Sequence, residues 1–179
     1  SIATVGGGST NKANAAQATV GGGLSNEALG DNATVSGGYS NTANGAQATI
    51  GGGQNNDVVA AFGTIGGGGS TNPLDGNLVR DDGGTVSGGS NNVAGDNSVL
   101  TTDRRFATVG GGRNNEASGT GATVGGGGLH IANGNYATVA GGGNNTASGY
   151  AASVGGGSSN TADGAFRATV SGGRLNRAS

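Results

Sequence analysis

Hydrophobic and polar residues alternate in a short unit that recurs along the whole chain. Eleven times, a valine or isoleucine stands before a run of small residues, mostly glycine, and the steps between copies are 15 residues except for steps of 21, 23 and 16. The residue before the aliphatic one is Thr in ten copies, and the residue before that is Ala in nine. The aliphatic positions are Val5, Val20, Val35, Ile50, Ile65, Val86, Val109, Val124, Val139, Val154 and Val170.

Both halves of the unit alternate with a period of two, which is typical of half-buried strands and not of helices. The first half reads Ala-x-Val, and the second reads Asn-x-Ala-x-Gly. A 15-residue unit is too short for a propeller blade or a strand-helix repeat, but it fits one coil with two strands and two tight corners. The sequence therefore predicts an all-β parallel solenoid or β-roll of about eleven 15-residue coils, with residues 1–179 as a single repeat domain.

An asparagine column in the second half predicts a ladder that holds the coils in register. Asparagine follows the aliphatic residue by six positions in most copies, His130 takes that position once, and Asn72 arrives one residue late. A corner asparagine can bond its own turn and the asparagine of the neighbouring coil. We interpret His130 as a substituted ladder member. The predicted ladder comprises Asn11, Asn26, Asn41, Asn56, Asn92, Asn115, Asn145 and Asn160.

The second and third positions of the small-residue run are glycine in all eleven copies, whereas the first is sometimes Ser or Ala. Either a corner there needs a positive φ, or another backbone approaches too closely for a Cβ atom. We expect both reasons to apply, and the second would imply a partner chain. Each coil also offers only one Val or Ile and two Ala as core, which is little apolar material against the entropy of ordering 15 residues. A homo-oligomer is therefore expected.

These repeats resemble the head repeats of trimeric autotransporter adhesins of the YadA type. The likeness lies in an alanine, an exposed residue, an aliphatic residue and glycine, followed by spaced Asn or Ser, Ala and Gly, as in residues 33–47 and 137–151. The chain has a 15-residue period and a longer glycine run, as in glycine-rich variant heads. The resemblance implies a left-handed parallel β-roll, a homotrimer around one axis, and a chain that is a fragment of a longer fibre.

The two long steps are adjacent and predict loop insertions at about 77–83 and 96–106. If both fall at the same corner of consecutive coils, they stack in space and hold seven of the eighteen charged residues. One interpretation is a patch that contacts a receptor or glycan, and the other is a solvated loop pair that forms salt bridges with itself or a neighbouring chain. The candidate patch comprises Arg80, Asp81, Asp82, Asp103, Arg104, Arg105 and Phe106.

Three aromatic residues share the position three before the aliphatic one, and two more stand one residue earlier. Such residues cover a corner, pack between chains, or stack on sugars. The first group is Phe62, Phe106 and Tyr136, and the second is Tyr150 and Phe166.

The composition argues against several other functions. Eight basic and ten acidic residues give a net charge of −2 and no basic patch, so we expect no nucleic-acid partner. There is no cysteine, a single histidine and no paired catalytic set, so the chain is predicted not to be an enzyme and to hold no cofactor or metal. A calcium β-roll would need an aspartate in every coil, and only eight aspartates are present for eleven coils. The chain has no apolar run long enough to predict membrane contact by this segment.

The sequence thus predicts a structural and adhesive segment of a trimeric bacterial surface fibre, which attaches to a host surface protein, a matrix protein or a glycan. The expected location is extracellular, on a bacterial cell surface, with an outer-membrane anchor in another part of the protein. One alternative is a receptor-binding fibre of a phage or contractile injection tail. The other is an ice-binding solenoid that uses the single outward file of threonines at the position before each aliphatic residue.

Overall fold

Two parallel sheets run along the length of the molecule in a computed structural model that describes residues 2–179. The first sheet is built from the Ala-x-Val half of each repeat, and its threonines pair in register on the outer surface. Its strands are β1 (Thr4–Val5), β3 (Thr19–Val20), β5 (Thr34–Val35), β7 (Thr49–Ile50), β9 (Thr64–Ile65), β11 (Thr85–Val86), β13 (Thr108–Val109), β15 (Thr123–Val124), β17 (Thr138–Val139), β19 (Ser153–Val154) and β21 (Thr169–Val170).

The second sheet is built from the residue after the asparagine column and the alanine that follows it. Each strand pairs in parallel with the equivalent strand of the next coil. Its strands are β2 (Lys12–Ala13), β4 (Glu27–Ala28), β6 (Thr42–Ala43), β8 (Asp57–Val58), β10 (Leu78–Val79), β12 (Val93–Ala94), β14 (Glu116–Ala117), β16 (Ile131–Ala132), β18 (Thr146–Ala147), β20 (Thr161–Ala162) and β22 (Arg177–Ala178).

The prediction of an all-β parallel solenoid is confirmed. Each sheet has 11 strands, so the rod contains eleven coils and is about 50 Å long at the usual spacing of parallel strands. Across residues 2–179 there is no α-helix, and the single helical turn is a 3₁₀ helix at Pro73–Asp75. None of the described residues therefore forms a helix long and apolar enough to cross a membrane.

The core is a narrow column between the two sheets. It consists of the aliphatic residue, the alanine two before it and the alanine of the second strand, which are almost all fully buried in the internal coils. The largest fully buried side chains are Ile50, Ile65 and His130, followed by valines. A column this thin accepts only small side chains, which explains why the repeat uses alanine at two of its three apolar positions.

The invariant third glycine is explained within one chain. Gly23 has a φ of 89°, and a Cβ atom there would overlap the carbonyl oxygen of Gly38 in the next coil and lie 2.7 Å from Nδ2 of Asn26. Both expected reasons therefore apply, but the close backbone belongs to the same chain. The second glycine differs, because a Cβ atom on Gly126 would have no heavy atom within 4 Å. Five other copies have a φ between 146° and 159° at this position, which favours glycine by itself, whereas Gly126 does not.

The position of the first insertion differs from the prediction. Residues 77–83 are regular, since Leu78–Val79 pairs with both neighbouring strands and Asn77 occupies the ladder position. The extra residues lie around the 3₁₀ helix, where Asn72 caps the first turn by accepting from the N–H of Leu74. Asn72 is therefore not a ladder member.

The second insertion begins after Ala94, at the corner that leads from the second strand into the next coil. The 3₁₀ insertion, by contrast, lies at the corner after the glycine run. The expectation that both insertions share one corner and stack is consequently wrong.

Candidate functional site

The corner before each Ala-x-Val strand has a fixed backbone conformation that positions the candidate site. The residue three before the aliphatic one has a φ between 52° and 64° at Gln17, Asn32, Gln47 and Ala151 as well as at the aromatic positions. Its N–H donates to a backbone carbonyl at the equivalent corner of the preceding coil, so these corners form a continuous hydrogen-bonded line along the rod. A side chain placed here projects from a rigid edge.

Three aromatic residues occupy this left-handed position, which bulky side chains rarely adopt. Phe62, Phe106 and Tyr136 have φ values of 59°, 64° and 59°, and their side chains remain 57%, 65% and 56% exposed. Little burial compensates for the strained conformation, which costs about 1–2 kcal/mol per residue. The strain belongs to the corner itself, since other coils adopt the same φ with Gln, Asn or Ala, and it fixes the direction in which each ring leaves the edge.

The rings form a nearly continuous file over seven coils. Phe106 packs over Gly83 and Tyr136 over Gly121, where an added Cβ atom would approach the rings to 2.7 Å and 3.0 Å. Tyr150 lies edge-on to Tyr136 at a centroid distance of 5.7 Å, and Phe166 lies 5.6 Å from Tyr150. We call Phe62, Phe106, Tyr136, Tyr150 and Phe166 the aromatic file.

A slot of about 190 Å³ opens in the aromatic file between Phe62 and Phe106. Gly83, Asp82 and Arg105 complete its lining. Oδ1 of Asp82 accepts from the N–H of Ala61 at 3.1 Å, which holds the carboxylate at this corner. The slot therefore offers two apolar ring surfaces together with one acidic and one basic group.

The second insertion lies directly beside this slot. Ser98 donates its hydroxyl to the carboxylate of Asp103, and the N–H of Ser98 donates to Asp96. Arg104 contacts Asp96 at 3.4 Å and donates to Asn135 Oδ1 at 2.9 Å. These contacts fold the loop back onto the solenoid, and Phe106 follows directly from its end.

The structure brings together all but one member of the candidate patch. Asp82, Arg105 and Phe106 line the slot, and Asp81, Asp103 and Arg104 lie behind it at the base of the loop. Arg80 is separate, because it lines a hollow of about 280 Å³ on the outer face of the second sheet, beside the 3₁₀ insertion. Burial raises the pKa of Asp57 in that hollow, against the lowering effects of Asn44 and Arg80.

Sequence reasoning left Phe62 and Asp96 out of the patch. Phe62 shares a repeat column with Phe106, and this was a usable signal that the two rings lie on one edge. Asp96 opens the second insertion, but its proximity to Asp81 depends on a hydrogen bond between coils, from the N–H of Asp96 to Oδ2 of Asp81. Nothing in the repeat pattern reveals that bond.

No family model and no curated protein matches this chain. The interpretation of the site therefore depends on its own geometry.

The predicted asparagine ladder is present and buried. Nδ2 of Asn41 donates to the carbonyls of Gly37 and Gly53, and Oδ1 of Asn41 accepts from the backbone N–H of Asn56 at 3.1 Å. Each ladder asparagine thus links its own coil to both neighbours. The same pattern begins at Asn11, and Asn77 joins the predicted members.

His130 is a ladder member, as its position in the repeat predicts. Its side chain is fully buried, its backbone N–H donates to Asn115 Oδ1, and its Nδ1 accepts from the N–H of Asn145 at 3.0 Å. An accepting Nδ1 requires the neutral imidazole. Burial also lowers the pKa of His130 below its usual 6.5.

We expect stability to fall as the pH drops below about 6.5, because the unfolded chain then binds a proton that folded His130 resists. The variant His130→Asn restores the common ladder residue and should remove this part of the pH dependence. Urea denaturation of both proteins at pH 7.5 and 5.5 measures the difference. Asp57 and Asp81 have raised pKa values, which act in the opposite direction and are common to both proteins. A pH-dependent loss as large in His130→Asn as in the wild type would contradict this role.

Proposed function

We propose that this chain is a rigid adhesive segment that presents the aromatic file to an extracellular glycan or surface protein. The file itself is the observation that carries this proposal, since its rings are exposed and aligned along one edge, and three of them stand at corners with a positive φ. A solenoid fixes the spacing of the rings, because each coil is hydrogen-bonded to the next. The file is therefore a preorganised surface that loses little entropy on binding.

A carbohydrate fits the chemistry of this edge. Aromatic faces pack against the apolar faces of sugar rings, and a few polar groups around them fix orientation. The slot supplies this combination, with Phe62 and Phe106 as apolar walls and Asp82 and Arg105 in its lining. A glycan of several residues could contact the rings of successive coils in turn.

We further propose that the segment acts as a homotrimer on a bacterial surface. The second glycine supports this in the copies where φ does not itself favour glycine, because Gly37 and Gly126 carry no side chain although a Cβ atom there would meet at most an ordinary contact within the chain. Close approach of an identical chain along that row would account for its glycines. Three parallel aromatic files would then raise avidity without a strong single site.

Replacing both Phe106 and Tyr136 with serine should reduce glycan binding at least tenfold, because two rings of the file are lost. The matched control is Leu129→Ser, since Leu129 is also exposed, at 58%, and also has a positive φ, at 60°, but lies at a different corner. Glycan-array binding identifies the ligand, and titration with that glycan gives the affinities. Equal binding by the double variant and the wild type would contradict the adhesive role of the file.

The oligomeric state is tested separately by sedimentation equilibrium. We expect three times the chain mass of 16.6 kDa for the wild type and for the double variant. A monomer that still binds glycan would remove the trimer from the proposal and leave the aromatic file in it.

A further inference from the structure

A buried carboxylate at the base of the second insertion lacks a partner for one of its oxygens. Asp81 is 1% exposed, its Oδ2 accepts from the N–H of Asp96 at 2.9 Å, and its Oδ1 forms no hydrogen bond of good geometry among the described residues. The backbone N–H of Arg104 is close enough to lower the pKa of this carboxyl, but burial outweighs it and the pKa is raised. An unsatisfied buried carboxylate oxygen is costly, because it loses its hydration without gaining a replacement. This position therefore needs a ligand or a proton.

Two further carboxylates converge on the same point. One oxygen each from Asp81, Asp96 and Asp103 lies within 4.8 Å of the others. Three like charges at this distance repel one another, and the one positive group in contact with them is Arg104, at 3.4 Å from Asp96. The cluster thus retains an excess of negative charge beside an oxygen that has no hydrogen bond of good geometry.

We propose that Asp81, Asp96 and Asp103 bind a calcium ion that fastens the second insertion to the solenoid. Calcium takes six to eight oxygen ligands at about 2.3–2.6 Å, so two oxygens on opposite sides of one ion lie about 4.6–5.2 Å apart. The observed cluster is of this size. Water would complete the coordination, and the ion would satisfy the buried oxygen and neutralise the repulsion together.

The absence of an aspartate in every coil does not bear on this site. That pattern excludes a calcium ion in each turn of the repeat, whereas these ligands come from one corner and one insertion. Asp103 lies three residues before Phe106, and Arg105 lies between them. A bound ion would therefore also fix the part of the loop that leads into the slot.

Calorimetric titration of the full chain with CaCl₂, after treatment with EDTA, tests the site without any glycan. We expect one ion per chain with a dissociation constant of about 10⁻⁴–10⁻³ M, as in extracellular calcium modules. Asp103→Asn should weaken binding at least tenfold, because a neutral amide oxygen replaces a charged ligand. The side chain of Asp103 is exposed, and equal melting of the variant and the wild type in EDTA would show that the fold is intact. The control Asp75→Asn removes an acid from the other insertion and should bind as the wild type does.

Hydrogen exchange measured by mass spectrometry gives a local second readout. Calcium should slow exchange at residues 96–106 about tenfold and leave residues 137–151 unchanged in the wild type. In Asp103→Asn, the same calcium concentration should slow exchange much less. Without calcium, exchange should be as slow as in the wild type or slower because one repelling charge is gone. The proposal would be overturned if the titration showed no heat of calcium binding in the wild type, or if Asp103→Asn bound calcium as tightly as the wild type. The first result would mean that a proton alone satisfies Asp81.

Discussion

Gly38→Ala should destabilise the chain by at least about 3 kcal/mol, the largest effect we expect from removing or adding a single methyl group. Gly38 has a φ of 96°, and an added Cβ atom would lie 2.7 Å from Nδ2 of Asn41 and 2.9 Å from the backbone nitrogen of Gly53. It would be closer still to the carbonyl oxygen of Gly53. Both the backbone conformation and the stacking distance between coils oppose the substitution, and neither can relax without separating the coils. Urea denaturation followed by circular dichroism measures the loss.

The neighbouring glycine provides the control. A Cβ atom on Gly37 would meet only the carbonyl oxygen of Gly22, at 3.9 Å, which is an ordinary contact. Gly37→Ala should therefore leave the fold intact. If identical chains pack along this row, Gly37→Ala should instead weaken their association, which sedimentation would detect. Equal destabilisation by both variants at the level of the single chain would contradict the distinction between the two glycines.

Asn41→Ala should destabilise the chain by about 2–4 kcal/mol, since it leaves two groups without partners. The backbone N–H of Asn56 loses its acceptor and the carbonyl of Gly37 loses its donor, whereas the carbonyl of Gly53 keeps the N–H of Tyr39. The freed N–H stays away from water, because Asn56 is fully buried. The free energy of unfolding from urea denaturation gives the magnitude, and hydrogen exchange should show that the loss is concentrated in adjacent coils.

Asn44→Ala is the matched comparison, because Asn44 belongs to the same coil but is exposed. Its single side-chain hydrogen bond reaches Asp57 Oδ1 at 3.3 Å. Its removal should change stability by less than about 0.5 kcal/mol. A similar loss from the two asparagine substitutions would mean that composition, and not the ladder, determines stability.

The repeat columns predict the strands and the ladder because all eleven copies pack in the same way. They fail at the fifth coil. Counting forward from Ile65 places the insertion at about 77–83, whereas the extra residues lie around Pro73–Asp75. Counting backward from Val86 gives nine residues to Asn77, the same as from Ile50 to Asn41. The position of the ladder asparagine is therefore a more reliable guide to the register than the distance from the preceding strand. Insertions enter at corners and leave the hydrogen-bonded asparagine in place.

The candidate site is less predictable for two physical reasons. The repeat column places Phe62, Phe106 and Tyr136 on one edge, but the direction and exposure of their rings depend on a left-handed corner that the sequence pattern does not reveal. The burial of Asp81 depends on the path of the second insertion, which folds back over the solenoid through contacts specific to that loop. Periodicity describes what the coils share, whereas these features arise where they differ.

The direction of the hydrogen bonds has a mechanical consequence. In both sheets they run along the rod, from coil to coil, so tension applied at the two ends loads them one after another. A detached coil would lengthen from about 5 Å to about 50 Å as its 15 residues straighten. Under a pulling force the rod would yield one coil at a time, and a fibre containing it would stretch and dissipate energy before its attachment broke.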